Sequence, residues 1–275
     1  MTRTVRAAHP ALPDDIGDLR TQRPLPNAEL EQLDPFLFLN HHGPQVYPPN
    51  NRGLPFGPHP HRGFETVTFI VEGSLAHKDT GGHESVIHAG GVQWMTAGRG
   101  LEHAELSPEE FLRNGGPLEI LQLWVNLPAR LKMTEPRYVG LQRDDIPSFT
   151  MDGVTVSLIS GEWEGRRGPV QSLTGVHMST VSTPANARIT LPAPRGRSVF
   201  FYIVRGALNV GRAMELIEFN DDGDTIEVEA LSDALILFGH AEPYGEPVVA
   251  HGPFVMNTHE EIIQAVRDYQ AGLFR

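Results

Sequence analysis

Gly57-Pro-His-Pro-His-Arg-Gly-Phe-Glu65 and Gly98-Arg-Gly-Leu-Glu-His-Ala-Glu105 are the two stretches that decide the fold. The first carries His59 and His61, the second His103 and Glu105, and each pair is spaced i, i+2. On a β-strand that spacing puts both side chains on one face, because successive residues alternate sides. Two such strands facing each other inside a barrel would bring three imidazoles and one carboxylate to a single point. That donor set suits a divalent first-row metal, and four protein ligands on an octahedral ion leave two positions for a substrate. Taken alone, His-Pro-His reads equally as two hydrogen-bonded imidazoles at a strand entrance. The answering pair, with Gly98 and Gly100 ahead of it to permit a tight bend, argues for a site.

Outward from these stretches the chain reads as short strands and turns. Phe64 to Val71 is β-branched and aromatic and stops at Glu72-Gly73-Ser74. If this strand runs unbroken back to His59, then His59, His61, Glu65, Val67, Phe69 and Val71 share a face; a bulge at Gly63 would break the phase. Upstream, Leu33–Leu39 is a short apolar run ending in Asn40-His41-His42-Gly43, and residues 44–58 read as a proline-rich loop. Downstream, Val86–His88, Val92–Met95 and Leu118–Val125 read as strands, and Ser107-Pro-Glu-Glu110 as a capped helical turn.

The second half repeats the style. Val154–Ile159, Val176–Val181, Ala187–Leu191, Ser198–Val204 and Ala234–Phe238 all read as strands. Phe200-Phe-Tyr-Ile-Val-Arg-Gly206 echoes Thr68-Phe-Ile-Val-Glu-Gly73, which suggests a duplicated domain. The duplicate has no His-x-His before its strand, so its barrel is expected to lack a metal. Thr258-His-Glu-Glu261 is a capping box, followed by the stripe Ile262, Ile263, Val266, Tyr269 and Leu273, predicting a helix packed on the outside of a barrel.

Composition narrows the function. With 275 residues there is room for one large domain or two of ordinary size, and 28 glycines and 23 prolines favour short elements joined by turns. A net charge of −12 argues against direct binding to nucleic acid or anionic membranes. The absence of cysteine excludes disulfides, thiolate metal sites and cysteine nucleophiles, and fits a reducing compartment. There is no apolar run long enough for a membrane span and no signal-like N-terminus, so a cytoplasmic protein is expected. His9, His41, His42 and His88 have no partner at a telling spacing and read as surface or hydrogen-bonded histidines.

Gly53-x5-His59-x-His61-x3-Glu65-x7-Gly73 resembles the first cupin motif, with one residue more than usual before the final glycine. Pro58-His-Pro-His-Arg-Gly-Phe-Glu-Thr-Val67, Gln93-Trp-Met-Thr-Ala-Gly-Arg-Gly100, His103-Ala-Glu105 and Leu121-Gln-Leu-Trp-Val-Asn-Leu127 more specifically resemble the pirin family. Leu33-Asp-Pro-Phe36 and Asn257-Thr-x-Glu-Glu-Ile-x-Gln-Ala265 agree with it, while residues 141–250 match more loosely. The resemblance implies an all-β bicupin: two tandem jelly-roll barrels with a short C-terminal helix. The expected division is a metal-binding domain over residues 1–140 and a metal-free one over 141–275.

The resemblance places the ligands at His59, His61, His103 and Glu105, the four already reached by strand spacing. It also implies that Glu65, a ligand position in many other cupins, is not one here and is left as a partner behind the ligands. Fe(II) is the metal implied, with Ni, Cu, Mn or Zn compatible with the donor set. Two functions of different class follow from the family. One is a quercetin 2,3-dioxygenase-type enzyme acting on a flavonol-like small molecule and O2, with Glu105 as general base as well as ligand, or as ligand alone. The other is a non-enzymatic, redox-sensing regulator that docks on a transcription factor or metabolic enzyme as its protein partner. A purely stabilising metal is a third reading, a monomer is expected in every case, and Trp94 and Gln122 are read as core or pocket without a choice between them.

Overall fold

A computed structural model describes residues 1–274; Arg275, the last residue of the expected second domain, lies outside them. The chain is built of β-strands with only two short α-helices, Glu109–Asn114 and His259–Gln270, among the described residues. It forms two compact units, and their boundaries are not a single cut. One unit takes residues 13–22, 36–143 and 244–275, and the other takes 1–12, 23–35 and 144–243. The passage at Arg143–Asp144 falls near the expected boundary at 140, but both chain ends belong to the opposite unit from the one sequence order assigns. Strand pairing explains the N-terminus: Val5–Pro10 adds as an antiparallel edge strand beside Glu215–Phe219.

In the unit that contains the histidine motifs, Phe64–Glu72 pairs antiparallel between Val92–Thr96 and Gly116–Asn126, with Arg137–Leu141 beyond the first and Phe36–Tyr47 beyond the second, in one large sheet. A four-stranded sheet, ordered Phe56–His61, Leu101–Leu106, Ser74–Asp79, Glu84–His88, faces it. Ile70, Leu118 and Ile120 from the large sheet meet Leu75 and Ile87 from the small one in a buried cluster, which fills one end of the barrel with apolar side chains. The strand that begins at Phe36 does not stop at His42; it runs to Tyr47, through Gly43, whose φ of +84° carries the chain where a side chain would strike the Leu118 carbonyl. A glycine-proline pair, which reads as a loop signal, sits here inside a strand.

The other unit repeats the plan around its own core, with Phe201, Ile203, Ile236, Phe238, Val181 and Leu158 among the buried members. The strands Ser198–Arg205 and Ala234–Ala241 pair centrally, and Glu215–Phe219 and Thr225–Glu229 complete the sheets. Those last two strands interleave acidic residues with apolar ones and sit among surface loops, which hid them from a propensity reading.

The C-terminal helix has the expected box: the Thr258 hydroxyl accepts from the Glu261 amide at 3.2 Å and the Glu261 carboxylate accepts from the Thr258 amide at 2.9 Å. Its buried stripe is narrower than predicted. Ile262 and Ala265 pack with Phe254, Met256 and Phe274, whereas Ile263 and Leu273 are exposed. The helix at Glu109–Asn114 lacks the expected serine cap, because the Ser107 hydroxyl instead accepts a hydrogen bond from the Leu54 amide.

Candidate metal centre

The strand carrying His59 and His61 ends at His61, and a new strand begins at Phe64 in the other sheet. Gly63 makes the break. Its φ is +87°, its amide donates to the Gly98 carbonyl at 2.8 Å, and a Cβ there would lie 1.9 Å from the Val255 carbonyl oxygen. A continuous face from His59 to Val71 therefore does not exist. In Phe64–Glu72 the even positions point into the barrel, shown by Thr68 donating to Glu105 and by Ile70 in the interior cluster. Glu65 lies on the opposite face, where its carboxylate accepts from Thr96 at 2.6 Å. The expectation that Glu65 stands behind the ligands is thus corrected by the change of sheet at Gly63. Burial raises the Glu65 pKa to about 7, against the opposing pull of hydrogen bonds from Thr96 and Trp94 and of the Arg137 charge.

The histidines do converge. Leu101–Leu106 pairs antiparallel with Phe56–His61, with His103 directly opposite His59. Ring centroids are 4.4 Å apart for His59 and His103, 4.8 Å for His59 and His61, and 5.0 Å for His61 and His103. One nitrogen from each lies within 4.8 Å of the other two, the only such cluster of three or more potential metal ligands among the described residues. His59 Nδ1 faces the Gly57 carbonyl at 2.7 Å and His61 Nδ1 faces the Pro253 carbonyl at 3.3 Å. Each Nδ1–H donated to a carbonyl fixes the tautomer that leaves Nε2 as an acceptor.

Burial, and next the neighbouring imidazole, lowers the His61 pKa to about 3, and burial lowers His103 well below its ordinary value. These imidazoles are neutral at physiological pH, the state a metal ligand requires. Both nitrogens of His103 are buried without a hydrogen-bond partner, although the residue is only 2% exposed. A buried imidazole nitrogen is expensive to leave unpaired, and a metal ion on one of the two would satisfy that atom. The three residues fit a divalent cation.

Glu105 stands outside that 4.8 Å group, one strand step beyond His103 and past an irregularity in the pairing. Its Oε1 accepts from Gln93 Nε2 and from Thr68 Oγ1 (3.1 Å), and its Oε2 accepts from Gln122 Nε2 at 2.5 Å. Thr68 is the cross-strand partner of both Gln93 and Gln122, so the three donors form a row across the large sheet. Gln122, read from sequence without a role, is thereby in contact with the site residue Glu105; Trp94, its neighbour Gln93 being inward, is buried core.

His77 was not legible as part of this region. It lies opposite Glu105 in the adjacent strand, its ring is 5.4 Å from that of His103, and it stacks on Tyr138 at 4.1 Å. Its Nε2 pairs with Asp79 Oδ2 at 3.0 Å. The signal was present as His77-x-Asp79, another i, i+2 pair, in a stretch whose lysine and small residues did not read as a strand.

The C-terminal segment supports the ligand strand. The Arg62 amide and the Val255 amide exchange hydrogen bonds with the Pro253 and Arg62 carbonyls, at 3.3 and 3.0 Å. Buried Arg62 also donates to the Arg99 carbonyl (2.6 Å), pairs with Asp268 of the C-terminal helix (2.7 Å) and covers the Phe274 ring. Lys132 Nζ, fully buried, ties the Gly63 and Val255 carbonyls to Asn126 at 2.7 to 3.0 Å, and burial lowers its pKa to about 8. The helix therefore holds in place the carbonyl that orients His61.

Two β-barrel units, one with a three-histidine cluster at its mouth, define a bicupin of the cupin superfamily. The pirin family profile matches residues 18–125, and the profile of the pirin C-terminal cupin domain matches residues 178–275. The chain is 41% identical to a pirin-like protein of Caulobacter vibrioides, covering 94% of each chain. It is 40% identical to human pirin over 91% of this chain and 86% of that one. It is also similar to the crystal structure of quercetin 2,3-dioxygenase from Acinetobacter baumannii, with a TM-score of 0.92 and 31% identity over 100% of this chain and 99% of that chain. The chain belongs to the pirin family.

Proposed function

We propose that this protein is a metal-dependent dioxygenase of the quercetin 2,3-dioxygenase type, with His59, His61, His103 and Glu105 as the ligands of one Fe(II). The observation that carries the proposal is the cluster of three imidazoles, two with their Nδ1 atoms tied to carbonyls, beside a buried carboxylate. Likeness to a quercetin 2,3-dioxygenase over the full chain supports the substrate class. The ion, when bound, supplies Lewis acidity and redox chemistry toward dioxygen.

The protein's own part is orientation and proton transfer. His59 and His61 are fixed in tautomer by their carbonyl partners before any ligand arrives. Glu105 takes the proton of the flavonol hydroxyl, leaving the substrate as its enolate, at the one Oε2 lone pair that Gln122 leaves available; that lone pair serves as base or as ligand at a given moment, not as both. The buried Phe64 ring, 5.0 Å from that of His61, limits access of water on that side, with the half-buried Trp124 beside it at 5.4 Å. One dioxygen is consumed and one carbon monoxide released as the flavonol ring opens.

The test is aerobic quercetin turnover by protein loaded separately with iron, nickel, copper and manganese, followed by loss of substrate absorbance. Turnover with at least one metal that falls by 100-fold or so in Glu105→Gln is expected, given the usual contribution of a general base. No turnover with any metal would sink the enzyme reading and leave the redox-sensing regulator as the function of the family fold.

A further inference from the structure

The row of donors beneath Glu105 is asymmetric, and the asymmetry assigns roles. A carboxylate oxygen offers two lone-pair sites. On Glu105 Oε1 both are taken, by Gln93 and Thr68, whereas Oε2 has the Gln122 donor alone. Gln93 is also held from behind: its Oε1 accepts from the Tyr138 hydroxyl at 3.3 Å, and that hydroxyl shares a 2.6 Å hydrogen bond with Ser85 Oγ. The Glu105 carboxylate, which only accepts, fixes which end of the Gln93 amide faces it, and the Tyr138 hydroxyl then donates to the other end. Gln93 is 2% exposed, while Gln122 is half-buried.

We infer that Gln93 is a positioning residue that anchors Glu105 by Oε1, so that Oε2 is the atom left to ligate or to accept a proton, and that Gln122 competes for that same atom. The inference rests on the proposed metal role of Glu105 and adds a sign to each carboxamide. Losing Gln93 frees the carboxylate to rotate, which weakens metal binding and removes the oxygen ligand. Losing Gln122 leaves Oε2 without the donor that draws on its charge and frees its second lone pair, which strengthens metal binding. Two glutamines touching one carboxylate thus act in opposite directions.

The experiment uses Cu(II) as the probe, with affinity measured by chelator competition and ligand set by electron paramagnetic resonance, on the full chain. Gln93→Met is expected to weaken Cu(II) binding by about 10- to 100-fold, the usual effect of losing a partner of a metal ligand. Its spectrum is expected to move toward that of Glu105→Gln. Gln122→Met is expected to strengthen binding by about tenfold, the worth of one hydrogen bond to a charged group. Should Gln93→Met fail to fold, Tyr138→Phe removes only the hydroxyl behind Gln93 and is expected to shift affinity and spectrum in the same direction by less. If wild-type protein binds no copper, the metal-site reading itself fails. If it binds copper and the Gln93 or Tyr138 variant matches wild type, or if both carboxamides shift affinity the same way, the positioning inference is overturned.

Discussion

Replacing Glu65 by glutamine should stabilise the protein at neutral and alkaline pH while leaving the histidine cluster untouched. The carboxyl is buried, 1% exposed, and its pKa is raised to about 7 from an ordinary 4.5. The unfolded chain gives up this proton near pH 4.5, the folded one only near 7. Stability from this group is therefore full below pH 4.5, is lost as pH rises to 7, and stays lost above it. The difference of about 2.5 units corresponds to roughly 3 kcal/mol at pH 8. Glutamine preserves an acceptor for the Thr96 hydroxyl and has no proton to lose. Urea unfolding at pH 4 and pH 8 should show the variant gaining about 3 kcal/mol relative to wild type between the two. Because Glu65 faces away from the barrel interior, metal affinity should not move. Equal pH dependence in both proteins would refute the argument from burial, and a loss of metal binding would refute the assignment of Glu65 to the outer face.

Three further outcomes are expected. Gly63→Ala forces a side chain into a left-handed backbone and against the Val255 carbonyl, and should cost about 3 kcal/mol or more in a denaturant titration. Arg62→Met leaves the Asp268 carboxylate and the Arg99 carbonyl without their buried donor, with an expected loss of about 3 kcal/mol and weaker metal binding, since the segment that orients His61 is loosened. Metal-free protein should lose stability as pH falls from 6.5 toward 3, because His61 and His103 have folded pKa values below their unfolded ones and protonation favours the unfolded chain. His61→Phe should flatten that slope by up to 1.4 kcal/mol or so per pH unit in the same titration.

Sequence pattern carried the histidines and the all-β class, because i, i+2 spacing and turn chemistry are local properties. It could not carry the relation between His61 and Glu65. That relation depends on Gly63 sending the chain from one sheet to the other, and the reason is a carbonyl of Val255 nearly two hundred residues away in sequence. The Gln93–Thr68–Gln122 row was illegible for a similar reason. Each residue is an unremarkable polar position in a strand until the register of three strands aligns them under Glu105. The exchange of chain ends between the two units was hidden because Val5–Pro10 and the C-terminal helix contact partners distant in sequence. Thr258 and Glu261, whose capping box is complete within four residues, were readable at once.

The most direct test of the account is metal stoichiometry joined to X-ray absorption of protein loaded with one equivalent of iron. One ion per chain is expected, with three imidazole nitrogens and one carboxylate oxygen at about 2.0–2.2 Å, and with His103→Ala abolishing the bound ion. A chain that retains its metal in His103→Ala, or whose absorption spectrum contains fewer than two imidazoles, would contradict the site on which everything else depends.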